Sequence, residues 1–394
     1  MPAQEIDTWF RSKEALELGR LKLRPRAHPK LADLPLSVSR GQAEAFFAAN
    51  VDNSVWIIKK FHRGRAPDLP YLRAIRGILP ASPRCRAGKE RQVLAAADVR
   101  GRYRPDELLR WLDGAILMPR IDGVDWATMA DAIRSGDMLP PSEGRLRLCR
   151  SFAVAIDELE AAGCSHRDLS CSNVYVDGQT WQVSIIDWDS MYHDSLTLPA
   201  NTSGGTQGYV APFACRGGGA DVRASWRPRA DRFALAILCA EFLGAEPGTP
   251  LEGDGGLFSQ DELRRRAGRT VDAVRDTLCR AYTAAAALFD RTLQARGFDD
   301  CPAPEDWVRC CDSLLGGAAS FPRLADVAWP EDEEFLRALA QRTPPPPMWP
   351  APRLDDLPDF ASVVATLRPA TRTLPPMHPA PPLPEDPFAA GGGP

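Results

Sequence analysis

Residues 164–190 read CSHRDLSCSNVYVDGQTWQVSIIDWDS, and the rest of the chain is organised around this stretch. Asp168 follows an apolar helical run, Asn173 comes shortly after it, and Asp187 closes an apolar β run. Val174-Tyr175-Val176 and Val183-Ser184-Ile185-Ile186 are β-rich stretches separated by the turn pair Asp177-Gly178, so they predict a hairpin. A hairpin brings Asn173 and Asp187 to one end, where both side-chain oxygens can bind one Mg2+. Asp168 then stands nearby to accept a proton from an attacking hydroxyl. This suits phosphoryl transfer, where positioning and charge neutralisation supply most of the catalysis.

His166-Arg167-Asp168-Leu169 with Asn173 resembles the catalytic loop of eukaryotic-like protein kinases, bacterial ones included. Asp187-Trp188-Asp189 resembles a variant of their DFG motif. The resemblance implies an α+β, two-lobed protein-kinase-like fold, with a small β-rich N-lobe and a large helical C-lobe. It implies ATP and Mg2+ as cofactors, Asp168 as base, and Asn173 and Asp187 as metal ligands. His166 and Arg167 complete the catalytic loop.

The 394 residues leave room for two lobes and extensions, since single cores rarely grow past about 250–300 residues. A charged fraction of 25% and an apolar fraction of 44% are ordinary for a globular protein. The net charge of -4 gives no reason to expect nucleic acid or an anionic membrane as partner. No run approaches the roughly 18 apolar residues of a membrane span, and the N-terminus lacks a signal-peptide core. The 10 cysteines are scattered without a CxxC pair and read as reduced thiols, so the expected location is cytoplasmic, with no metal beyond Mg2+.

Residues 1–37 read as a lead-in helix carrying Trp9, Phe10, Ala15, Leu16 and Leu18. Residues 38–118 form the expected N-lobe. Gly41 begins Gly41-Gln42-Ala43-Glu44-Ala45, where a protein kinase carries its phosphate-covering glycine loop; only that first glycine is kept. Val55-Trp56-Ile57-Ile58-Lys59-Lys60-Phe61 resembles the family's VAIK strand, with Lys59 at the nucleotide-binding lysine. Ile57, Lys59 and Phe61 share one strand face. Glu90 is the candidate for the helix glutamate that holds this lysine. The strand ending at Met118 and Pro119 resembles the hinge, with Met118 at the adenine end; Pro119 can offer only its carbonyl. Ile57 above and Tyr175 below would bound the adenine.

Residues 119–320 form the expected C-lobe. Apolar spacing over 146–162 predicts a helix capped by Gly163 that leads into the catalytic loop. Ser190, Tyr192, Ser195, Thr197, Thr202 and Ser203 precede Gly205-Thr206-Gln207-Gly208-Tyr209-Val210-Ala211-Pro212-Phe213, which resembles the end of a protein-kinase activation segment. Arg167 would pair with a phosphate placed in that hydroxyl-rich stretch. Asp231 resembles the family's aspartate that anchors the catalytic loop, although an ordinary helix cap reads the same way. Ser259 to Glu262 is a capping box, and 271–293 is a helical region. Phe213 and Cys301 stand where the family pairs a glutamate with an arginine, and joint loss of such a pair can be nearly neutral. Residues 321–342 read as a linker or helix and 343–394 as a proline-rich disordered tail, passive or a ligand for an SH3-like partner.

Four departures bear on activity: the reduced glycine loop, Ser170 in place of a phosphate-contacting lysine, the bulky Ile57 and Tyr175, and Asp189 in place of the DFG glycine. Three functions fit these residues. One is a Ser/Thr protein kinase acting on a protein substrate, itself included. The second is a pseudokinase serving as a nucleotide-binding or scaffold module. The third is a small-molecule kinase resembling aminoglycoside phosphotransferases, whose motif Ile186-Asp187-Trp188 also matches.

Overall fold

Apolar alternation in residues 43–61 puts Phe46, Ala48 and Ile58 on one face of a sheet, and a computed structural model pairs them there. The structure describes residues 4–28, 31, 33–40, 42–100, 105–216, 219–253 and 256–316. Gly41, the 321–342 segment and the proline-rich 343–394 segment lie outside the described residues.

The chain opens with α1 (Gln4–Ser12), then β1 (Leu16–Leu18), β2 (Leu21–Pro25), β3 (Ser37–Arg40), β4 (Ala43–Ala49) and β5 (Val55–Phe61). After α2 (Leu69–Ile78) and α3 (Arg86–Lys89) come β6 (Gln92–Val93), β7 (Val99–Arg100), α4 (Asp106–Leu112) and β8 (Ile116–Pro119). The sheet runs β6-β8-β5-β4-β2-β1-β7, with β3 also paired to β4. It therefore begins at Leu16, inside the stretch expected to be a lead-in helix. The helix stops early because the Ser12 hydroxyl bonds Trp9 O and Lys13 takes a φ of 57°. Beyond it, Leu16, Leu18 and Leu23 are buried with the period of a strand. Ile6 and Trp9 from α1, and Leu108 and Leu112 from α4, cover the same sheet face. Each such fully buried apolar side chain contributes about 1.5–3 kcal/mol.

The second lobe holds β9 (Val124–Asp125), α5 (Trp126–Ser135), α6 (Ser142–Ala161), β10 (Val174–Asp177), β11 (Gln182–Ile185) and α7 (Arg232–Gly244). It continues through α8 (Gln260–Arg265), α9 (Arg269–Ala281), α10 (Thr283–Gln294) and α11 (Pro304–Leu314). This sheet-plus-helices division is a two-lobed protein-kinase-like fold. Every residue of α7 is buried, as an all-round apolar helix must be, and α6, α9 and α10 pack around it. The 271–293 region is two helices, because Tyr282 leaves the helical region at φ -145°. Phe213 packs edge-on to Phe298 at 5.0 Å, an aromatic contact at the position where the family has its ion pair. Among the described residues no helix is long and apolar enough to cross a membrane.

One acid lies inside this core. Glu241 of α7 accepts from Trp126 Nε1 at 2.8 Å, Tyr209 Oη at 3.1 Å and Leu257 N at 3.1 Å, with no cation in that set. Burial pushes its carboxyl up from 4.5 to about 7, against the pull of those three donors. Between these values the folded state holds a proton that the unfolded chain releases, so stability falls as pH rises through the window and levels off above it. From about pH 5 to about pH 8 the parent is expected to lose about 3 kcal/mol more unfolding free energy than Glu241→Gln. Urea titrations at both pH values check this, and parallel profiles for the two proteins would count against it.

Candidate active site

Helix α6 ends at Ala161, and Gly163 takes φ 70°, turning the chain into the loop of residues 164–173. From beneath, Asp231 accepts from His166 N at 2.5 Å and Arg167 N at 2.8 Å, and its side chain makes no helix-cap bond. Asp231 is therefore a loop anchor rather than a cap. His166 Nε2 lies 2.8 Å from Ile186 O, and its ring packs edge-on to Trp188 at 4.8 Å. On the other side, Trp188 fills the space above Gly88 of α3, where an added Cβ would come within 2.6 Å of the indole.

Asp168 lies past Arg167, whose φ is 69°. Its Oδ1 accepts from Thr206 Oγ1 at 2.8 Å, and its carbonyl accepts from Asn173 Nδ2 at 2.7 Å. The hairpin forms as expected, with Val174 opposite Ile185, although its turn is a longer loop over 178–181 organised by Asp177. Ile186 N donates to Asn173 O at 3.0 Å, which sets Asn173 and Asp187 at the same end. Asp187 is held at φ 65°, ψ 58°, a conformation that costs a non-glycine residue about 1–3 kcal/mol and concentrates at functional sites.

Lys59 reaches across from β5. Its Nζ lies 2.6 Å from Asp187 Oδ1 and 2.6 Å from Asp189 Oδ2, and Asp189 Oδ1 lies 2.6 Å from Arg91 Nη2. Burial acts to lower the Lys59 pKa, but the two carboxylates outweigh it and hold the ammonium above lysine's ordinary range. Burial likewise acts to raise the Asp189 carboxyl, and Lys59 and Arg91 hold it well below the carboxylate range.

The structure thus ties Lys59 to Asp187 and Asn173 to Asp168, with the Ile186–Asn173 backbone bond joining the two pairs, and Asp231 holds His166 and Arg167 at the start of the same loop. Ile57 and Met118 are register partners across β5 and β8. Tyr175 sits on β10 opposite Ser184 and Asp125, in a different sheet. Glu90 is a correction. It falls at the end of the short α3 and spends its carboxylate on Arg86 Nε at 3.1 Å, while Lys59 takes Asp187 and Asp189. Pro80 and Pro83 break the chain between α2 and α3, so among the described residues no continuous helix leads from α2 through Glu90 toward the lysine. The bond from Thr206 to Asp168, the role of Arg91 and the positive role of Asp189 are not directly legible in the sequence. Asp189 carried a signal, since a charge two residues from Asp187 must find a partner.

Arg167 also departs from expectation. Its donors go to the carbonyls of Ser190 (2.6 Å), Ser203, Val222 and Ser225 and to the hydroxyls of Thr202 and Ser225, while its guanidinium stacks over Trp226. Backbone oxygens already fill the place a phosphate would take. Replacing the exposed Ser195 and Thr197 together with alanine is therefore expected to leave activity within about twofold of the parent, since surface changes away from such features are nearly neutral. Activity measured before and after phosphatase treatment checks it, and a large loss would restore phosphate control.

The residues fit a divalent cation of hard-oxygen preference. Asn173 has committed Nδ2 to Asp168, leaving Oδ1 as the donor atom to pair with the Asp187 carboxylate. Among the described residues no three His, Cys, Asp or Glu side chains form a metal cage.

No protein-family model matches the chain. In sequence it is similar to the Serine/threonine-protein kinase PknE of Mycobacterium tuberculosis, 31% identical over 148 residues, which is 36% of this chain and 24% of that protein. The PknE protein of Mycobacterium bovis matches to the same extent. The similar stretch spans about a quarter of the length of these curated relatives. Over that stretch the chain is thus similar to a bacterial serine/threonine-protein kinase. Among solved structures, the Mycobacterium tuberculosis PknI kinase domain is 15% identical at a TM-score of 0.47, covering 76% of this chain and 97% of that one.

Proposed function

We propose that the chain transfers a phosphoryl group from ATP, with Mg2+, to serine or threonine hydroxyls of a protein, itself among the candidate substrates. The observation that carries this reading is the convergence of Lys59, Asn173 and Asp187 beside an Asp168 oriented by Thr206. Bound Mg2+ and ATP would supply the phosphoryl group and its charge neutralisation. Asn173 and Asp187 would hold the cation, and Lys59 would face the phosphates. Asp168 would take the acceptor's proton at its carboxylate, the oxygen not engaged by Thr206 being open to it. Thr206 belongs to the segment after the hairpin, which favours a peptide acceptor because it ties the base to a surface on which a polypeptide can lie. The name of the PknE relatives points the same way.

A pseudokinase is the second reading, favoured by the buried Ser170, which bonds Ser172 where a phosphate-contacting lysine would stand. The test is transfer from labelled ATP and Mg2+ by the purified chain to a generic protein substrate. Label in protein supports the proposal. Nucleotide binding with background label supports the pseudokinase, and label in small hydroxylated compounds alone supports the small-molecule kinase.

A further inference from the structure

The lysine that a helix glutamate would hold is held here by a residue of the loop after β11. Asp189 is buried, and its carboxylate bridges Lys59 on β5 and Arg91 at the entrance to β6, both at 2.6 Å. Arg91 is 3% exposed, and its Nε makes no hydrogen bond, so this cation sits in the core with Asp189 as its charge partner. Asp189 is not among the positive-φ residues, whereas Asp187 is, so the backbone does not require glycine at 189 and a side chain there is free to serve.

We infer that Asp189 is a positioning residue for Lys59, tethering the ammonium so that it faces the nucleotide phosphates while Asp187 remains available to a cation. The inference rests on the nucleotide-binding reading above. Its charge logic is direct. Without Asp189, the nearest anion for Lys59 is Asp187, and the lysine would compete with the cation for that carboxylate. With Asp189 present, Lys59 keeps an anionic partner after Asp187 has turned to the metal. Arg91 keeps the two carboxylates and two cations in balance, which a buried cluster needs if its desolvation is to be offset.

The experiment is equilibrium binding of ADP with Mg2+ to the purified full chain. Asp189→Asn, Lys59→Met and the double variant are compared with the parent. Asp189→Asn leaves Arg91 buried without a counter-charge, so Asp189→Asn with Arg91→Gln is measured too; that pair removes both charges and keeps the fold testable. Each Asp189 variant is expected to bind about 10–100-fold more weakly, the range for loss of a hydrogen bond to a charged group. Adding Asp189→Asn to Lys59→Met is expected to change binding by less than about twofold, because the two side chains act as one unit. Parent-like binding by a folded Asp189 variant would overturn the inference. So would losses that multiply in the double variant, or a higher Mg2+ requirement persisting in the Lys59→Met background, which would make Asp189 a metal ligand. No binding by the parent itself would overturn the functional reading, and the tether with it.

Discussion

Asp168→Asn is expected to lower phosphate transfer from Mg2+ and ATP by about 10²–10⁴-fold, the usual contribution of a positioned general base. The substitution keeps the shape of the side chain and removes its capacity to take a proton. Thr206 can still donate to the amide oxygen, and the bonds from Asn173 Nδ2 and to His166 Nδ1 involve Asp168 backbone atoms that the change leaves in place. Nucleotide binding is therefore expected to stay within about twofold of the parent, because Asp168 makes no bond to Lys59 or Asp187. The measurement pairs initial transfer rates with ADP binding on the same preparations. Equal, well-above-background rates in parent and variant would remove Asp168 from the chemistry.

This contrast between rate and binding separates the two arms of the site. Lys59, Asp187 and Asp189 form a charged cluster that, on the proposed reading, would meet a nucleotide phosphate with its cation. Asp168 and Thr206 form a hydrogen-bonded pair that, on the same reading, would serve the acceptor. The junction between them is Asn173, which bonds Asp168 by its side chain and Ile186 by its carbonyl. A cation bound at Asn173 would thus be sensed at the base through one amide group.

Sequence made the second lobe's site legible because its determinants are local. The 164–190 stretch sets its own loop and hairpin, and Asp231 meets it through backbone N–H groups that any loop residue supplies. The resemblance put Phe213 and Cys301 at the positions of the family's glutamate–arginine pair, and the structure packs Phe213 against Phe298 there. Glu90 does not reach Lys59 because Pro80 and Pro83 interrupt the chain and leave α3 a single turn, whose terminal carboxylate pairs with Arg86. The strands at Leu16–Leu18 and Leu21–Pro25 were hidden because runs this short satisfy helical and strand spacing equally, and only pairing with β7 and β4 decides between them. The Asp189–Arg91 contact joins residues from different lobes, and no periodicity in one chain reports such a pairing.

The largest effect on stability is expected at Asp231. Its carboxylate is 2% exposed and satisfies two backbone N–H groups, those of His166 and Arg167, at the start of the catalytic loop. In Asp231→Ala both donors stay buried without an acceptor, and each such group costs about 1–3 kcal/mol, so unfolding free energy should fall by about 2–6 kcal/mol. An ordinary N-cap would account for only about 1 kcal/mol. Asp231→Asn is expected to fall between parent and alanine, since its amide can accept from one of the two N–H groups but turns a donor toward the other. Phosphate transfer should drop with the alanine change even at temperatures where the protein stays folded, because Arg167, released at its backbone, no longer holds the carbonyls of Ser190 and Ser203 in register with Asp168. Urea unfolding of the three proteins, followed by transfer rates well below the midpoint, separates the effects. A loss near 1 kcal/mol with parent-like transfer would return Asp231 to the role of a simple cap.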